Sequence, residues 1–327
     1  MHNFIQQNQR SDLKIITLIF TLLTVLSNVS AQEPTTPSDL GQVLIVLGTV
    51  QDAGSPHIGC RKSCCRVLFQ KADPTRKVVS LGIIDHETNT KILIDATPDI
   101  VTQIRDLHNI TGNIGNEVPN AIFLTHAHIG HYTGLMHLGR EAFNTKDVPV
   151  YAMQKMSGFL ETNGPWDLLI KLNNIKIQPL HDEKPVHITP NITITPYAVP
   201  HRGEYSETVG FLIEGKHKKA LFIPDIDKWH LWTKNIKEEI AKVDYAFLDA
   251  TFFDNHEVNN RNMAEIPHPF VKESMDLFED LPVEEKAKIH FIHFNHTNPA
   301  LVKDSPQTKM IHEKGYNIAS YLQTIKL

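Results

Sequence analysis

Three imidazoles fall within six residues, His126, His128 and His131, directly after the short apolar run Ala121-Ile122-Phe123-Leu124-Thr125. The run reads as a buried strand. Side chains two apart on an extended backbone point to the same side, so His126 and His128 face one way. His131 follows at the mouth of the next helix. Imidazole is the commonest metal ligand, and three of them at a strand-to-helix turn make a metal-site arrangement. Such a turn lies at the C-terminal end of a strand, where active sites concentrate on rigid scaffolds. Of the nineteen histidines, His108, His137, His181, His187, His217 and His230 lack such context and read as surface or locally satisfied groups.

The rest of the chain alternates strands and helices around this motif. Val43–Val50 reads as a buried strand. Val78–Ile84 and Lys91–Asp95 pair around the turn-rich Asp85-His86-Glu87-Thr88-Asn89, a hairpin signature. A helix is expected over Asp99–Leu107 after Pro98, and another over Tyr132–Ala142. Residues 153–173 read as helical, interrupted at Gly164-Pro165. Strands are expected at 175–179, 192–198, 208–214, 219–223, 245–249 and 289–294, with helices near 230–241, 270–279 and 306–315. Clusters of strands followed by helices, twice over, predict two sheets covered by helices and not one doubly wound sheet. No G-x-G-x-x-G follows the first strand, and no Walker A sequence occurs.

Composition narrows the function. A chain of 327 residues, 41% apolar and at −5 net charge (32 basic against 37 acidic residues), is neither disordered nor basic enough to carry the footprint of a nucleic-acid binder. Residues 1–31 read as a secretory signal. Arg10 and Lys14 precede the uncharged run Ile15–Ser27, and Val29-Ser30-Ala31 forms a small-residue cleavage site. The run is short for a membrane span; an uncleaved anchor is the alternative. Residues 32–41 form a short lead-in and 42–327 the folded domain. The expected product is exported, periplasmic or secreted, with no stable membrane association after cleavage.

Thr125-His126-Ala127-His128-Ile129-Gly130-His131 resembles the H-x-H-x-D-H motif of the metallo-β-lactamase fold superfamily, an α/β αββα sandwich with one or two metals at its sheet edges. Further motifs resemble that family in order. Leu93-Ile94-Asp95 is similar to its early strand-end Asp, which braces the histidine loop. Pro200-His201-Arg202, with Thr208-Val209-Gly210-Phe211 after it, resembles its next ligand segment. Phe222-Ile223-Pro224-Asp225 resembles the strand ending in a bridging Asp, and Phe291-Ile292-His293-Phe294 the last ligand. The resemblance implies His126, His128 and His201 around a first metal, and His131 and His293 around a second, with Asp225 between. Gly130 departs from the pattern, because the family has Asp there. The expectation is a second position short of one carboxylate, and hence one tight and one weak metal, or a different metal.

Cys60, Cys64 and Cys65 suit a structural zinc needing a fourth ligand. His296 is the first candidate and His57 its rival; a Cys60–Cys64 or Cys60–Cys65 bridge is the alternative in an oxidising compartment. The set resembles that of the phosphonate-pathway cyclic phosphodiesterase. Gln51-Asp52-Ala53-Gly54, the cysteines, Pro267-His268-Pro269-Phe270 and Phe291 to Pro299 together resemble the pyrroloquinoline quinone biosynthesis protein B family. Asp249-Ala250-Thr251-Phe252 is similar to a segment of the tRNA 3′-processing endonucleases, which implies Asp249 and His268 as a proton shuttle. A tRNA substrate is disfavoured by export and by the acidic balance.

These likenesses imply a metal-dependent hydrolase of phosphodiester, cyclic phosphate or related ester bonds, with Asp225, His268 and Asp249 in the catalytic machinery. One or two Zn2+ are expected at the active site, with Mn2+ or Fe2+ as alternatives, and one structural Zn2+. The substrate is expected to be a small anion, which Arg202 could clamp unless it forms a surface salt bridge. A homodimer is compatible with the sequence. The alternatives are an iron-dependent oxidoreductase like the quinone-biosynthesis family and a carrier without turnover.

Overall fold

A computed structural model describes residues 41–112, 115–258 and 262–327. The expected signal segment, and the expected lead-in up to residue 40, lie outside the described residues.

Fourteen strands are described: β1 (Gln42–Gly48), β2 (Ser80–Asp85), β3 (Thr90–Ile94), β4 (Ala121–Phe123), β5 (Val148–Ala152), β6 (Ile175–Pro179), β7 (Val186–His187), β8 (Thr193–Ala198), β9 (Val209–Glu214), β10 (Lys219–Ile223), β11 (Tyr245–Asp249), β12 (Ile289–Ile292), β13 (Asn317–Ile318) and β14 (Thr324–Lys326). They form two seven-stranded sheets, ordered β14-β1-β2-β3-β4-β5-β6 and β13-β12-β11-β10-β9-β8-β7. The α-helices are α1 (Ser63–Gln70), α2 (Ile100–Ile110), α3 (Ile129–Tyr132), α4 (Gln154–Thr162), α5 (Trp166–Lys171), α6 (Ile236–Ala241), α7 (Val271–Leu277), α8 (Val283–Lys286) and α9 (Pro306–Glu313).

Strand periodicity sorts the apolar side chains into three layers. On β1, Leu44 and Val46 join Ile83, Ile94 and Phe123 in a core shared with Phe211, Phe222 and Phe247 of the other sheet. The alternate residues Val43, Ile45 and Leu47 face the opposite way, onto Ile104 and Leu107 of α2. Leu221, Leu248 and Phe291 likewise pack under Ile240 of α6, Met275 of α7 and Ile311 of α9. Both faces of each sheet are therefore covered, which is why the strands read as continuous apolar runs. The αββα expectation holds.

The hairpin is observed, with Ile84 opposite Lys91 and Asp85 opposite Thr90. Several boundaries differ from expectation. Tyr132–Ala142 is not one helix: α3 gives way to a 3₁₀ segment, Thr133–Leu138. Gly134 packs so tightly there that a Cβ would lie 2.0 Å from the Thr97 carbonyl oxygen. The helix expected near 230–241 divides into a 3₁₀ turn, Trp229–Leu231, and α6. β5 was not anticipated, since Pro149 within it argues against a strand, nor were α1, α8 and the short β7, β13 and β14. No helix among the described residues is long and apolar enough to cross a membrane.

Candidate metal centre

The site lies where strands of both sheets end. Asp95 and Thr125 follow β3 and β4; Asp225, Asp249 and His293 stand at the ends of β10, β11 and β12. Asp95 and His293 hold left-handed backbone, at φ 65° and 66°. Non-glycine residues persist there only when their surroundings over-determine them, and Asp95 is so fixed. Its Oδ1 accepts from the Thr125 amide at 2.8 Å, and its Oδ2 accepts from His131 Nδ1 at 2.7 Å. A carboxylate on Nδ1 sets the ring's orientation and turns Nε2 inward.

The other rings are steered in the same way. His201 Nδ1 donates to Asp227 at 2.9 Å. His293 Nδ1 donates to Thr251 Oγ1 at 2.9 Å, and that hydroxyl donates to Asp249 at 2.7 Å. His126 Nδ1 lies 3.0 Å from Thr125 Oγ1.

What the rings present inward forms two adjoining donor sets. His126, His128, His201 and Asp225 bring one donor atom each within 4.8 Å of one another, and so do Asp52, His131, Asp225 and His293. His126 Nε2 is 3.3 Å and His201 Nε2 3.2 Å from the Asp225 carboxylate. His131 Nε2 lies 2.8 Å from Asp52 Oδ1 and 4.0 Å from Asp225. Asp225 is the member of both sets, as a bridging carboxylate must be.

A test of fit comes from the polar atoms without partners. His126 Nε2, His293 Nε2 and Asp225 Oδ1 are buried and make no hydrogen bond. Buried polar groups are normally paired, so these unpartnered donors, converging on one another, fit divalent cations. Burial, with the neighbouring His131 and His128, holds His126 well below the usual imidazole pKa, in the neutral form that coordinates metals. Burial pushes the Asp225 carboxyl up to about 6. Burial acts against protonation of His131, yet Asp95 and Asp52 together raise its pKa.

The expectation of a carboxylate-poor second position is therefore corrected, because Asp52 stands there. The sequence shows Asp52 only as part of Gln51-Asp52-Ala53-Gly54, with no ligand role assigned, and a single Asp such as Asp227, outside any spaced motif, carries no signal. Asp249 and His268 are brought together, with Nδ1 2.9 Å from Oδ2, and the same Nδ1 lies 3.2 Å from Asp225. Arg202 faces exposed Glu204 at 3.6 Å, the surface-pair alternative, and not a clamp on the centre.

Cys60, Cys64, Cys65 and His296 form a third donor set within 4.8 Å, and all three thiols are free. His57 is not the fourth member. Its ring packs on His296 at 4.3 Å while its amide donates to Cys65 Sγ at 3.3 Å.

The beta-lactamase superfamily domain matches residues 90–291, more than half of the chain. The chain belongs to the beta-lactamase superfamily. A coenzyme PQQ synthesis protein B from Methylorubrum populi is 24% identical over 302 residues, covering 84% of this chain and 97% of the relative. The Zn2+-bound PqqB of Methylobacterium extorquens superposes with TM-score 0.71 at 22% identity, covering 87% of this chain and all of that one. A diphosphatase of the PhnP family superposes with TM-score 0.61 at 21% identity, covering 88% and 97%. The motif resemblances to the superfamily, to PqqB and to the phosphonate-pathway enzyme agree with these matches.

Proposed function

We propose that the protein is an exported metal-dependent hydrolase acting on phosphodiester, cyclic phosphate or related ester bonds of a small anionic substrate. The observation that carries this reading is the pair of adjoining donor sets sharing Asp225, with the His268–Asp249 pair against it. His126, His128, His201 and Asp225 would hold one cation, and Asp52, His131, His293 and Asp225 a second. The nitrogen and oxygen donors suit zinc and also accept manganese or iron, and the Zn2+-bound PqqB supports zinc. Cations there would lower the pKa of water toward neutrality.

The chain's own side chains supply the rest. Asp95 and Asp227 keep His131 and His201 from rotating. Asp249 anchors His268 through Nδ1, which leaves Nε2 to pass a proton to the leaving oxygen. Burial opposes its protonation, but Asp249 and Asp225 raise the His268 pKa, as a proton donor needs. Cys60, Cys64, Cys65 and His296 would hold a structural zinc that ties the loop after β1 to the segment after β12. The likeness to a PhnP-family diphosphatase supports a phosphoryl substrate.

The likeness to coenzyme PQQ synthesis protein B supports a second reading, a part in coenzyme synthesis; as an oxidoreductase or accessory protein the chain would hold one iron on two His and a carboxylate. The doubled donor set favours the hydrolase. The test is turnover of bis(p-nitrophenyl) phosphate and of a 2′,3′-cyclic nucleotide by zinc- or manganese-loaded protein. Turnover abolished by Asp225→Asn supports the hydrolase. Absence of turnover on every phosphoester, with oxygen consumption by an iron form, refutes it.

A further inference from the structure

Gly130 is the one residue of the histidine motif that breaks the family pattern, and the space beside it is taken. A Cβ on Gly130 would lie 2.4 Å from the Asp52 Cα, 2.7 Å from its Oδ1 and 2.9 Å from its Cβ. The first of these is backbone and cannot swing aside. Close approach, and not left-handed backbone, is what requires glycine. A side chain at 130 and the loop carrying Asp52 in its present place exclude each other.

We propose that Asp52 delivers to the second cation position the carboxylate that the family pattern carries at position 130. Gly130 is glycine because that carboxylate arrives from the loop after β1.

Two further observations point the same way. Asp52 Oδ1 sits 2.8 Å from His131 Nε2 and 3.5 Å from His293 Nε2, so it faces both imidazoles of that position. The His293 nitrogen has no hydrogen bond despite its burial. The loop is also fixed to the strand end that carries His293: the Gln51 amide donates to the Phe294 carbonyl at 2.9 Å, and the Phe294 amide to the Thr49 carbonyl at 2.8 Å. Gly54, in left-handed backbone at φ 75°, closes the turn with its amide on the Gln51 carbonyl at 2.9 Å. The carboxylate is held by the backbone on both sides, as a ligand must be.

The proposal rests on the metal-centre reading but not on any reaction. It is tested by zinc content after chelation, reloading and removal of free ion, on the full chain and on Asp52→Asn, Asp52→Ala and Gly130→Ala, with melting temperature measured in the presence and absence of zinc. Asp52→Asn keeps the shape of the side chain and is expected to lose one zinc per chain relative to wild type, and to gain less in melting temperature from added zinc than wild type does. Gly130→Ala is expected to lose that zinc and also to melt lower without metal. Wild-type content in Asp52→Asn overturns the proposal while leaving the centre a metal site. A wild-type protein with fewer than two ions at the active site overturns it as well, and the metal reading with it if none binds there.

Discussion

In the proposed hydrolase Asp225 would hold the cations and His268 would pass the proton, so their removal should look different. Asp225→Asn takes the shared carboxylate from both cation positions; both metal content and kcat are expected to fall, kcat by at least about a hundredfold. His268→Ala should lower kcat by roughly 10²–10⁴, the usual range for a general acid, with metal content unchanged. A His268→Ala protein that loses metal would instead make His268 a ligand, which its place in a further donor set with Asp225, Asp249 and His293 allows. The histidines and Asp225 were legible because each ends an apolar strand in a family-ordered motif. Asp52 was not, because it meets His131 across 79 positions of sequence. Asp227 was hidden likewise, 26 positions from His201.

At the scale of elements, the cysteine loop and β12 carry separable predictions. Cys65 is buried, and its Sγ accepts a backbone amide, as thiolate ligands do. Cys65→Ser should remove one zinc and lower the melting temperature by several degrees, about 1–2 kcal/mol or more on the usual size scaling; unchanged melting would deny the loop a structural ion. On β12, His290 is buried against Phe247 with centroids 5.1 Å apart, and burial lowers its pKa to about 4. Unfolded, it protonates near 6.5, so its contribution to stability is complete above that pH and is lost as pH falls toward 4. The loss amounts to roughly 3 kcal/mol. His290→Phe should flatten that part of the acid limb in pH-dependent melting, and an unchanged limb would contradict it. Long apolar strands and the Asp85–Asn89 turn were readable from pattern. β5 was not, because Pro149 obscures it, and the 3₁₀ segment after α3 was not, because the contact of Gly134 with the Thr97 carbonyl is tertiary.

Over the whole molecule, two sheets meet at the cation positions. Asp95 and His126 follow strands of the first sheet, with His131 in α3 just beyond, and Asp225, Asp249 and His293 follow or end strands of the second. Ions bound there join the two halves and should stabilise the folded state by mass action. Chelation should therefore lower the melting temperature reversibly, and zinc should restore it; indifference to chelator would speak against metal. The sandwich was legible from strand clusters and motif order together, whereas the substrate was not, since one fold hosts many reactions. The most direct measurement is elemental analysis of the protein purified without chelator, alongside Asp225→Asn. Three zinc, or two manganese and one zinc, per wild-type chain, falling toward one in the variant, is the expected result. A single iron per chain with little zinc would contradict the two-cation hydrolase.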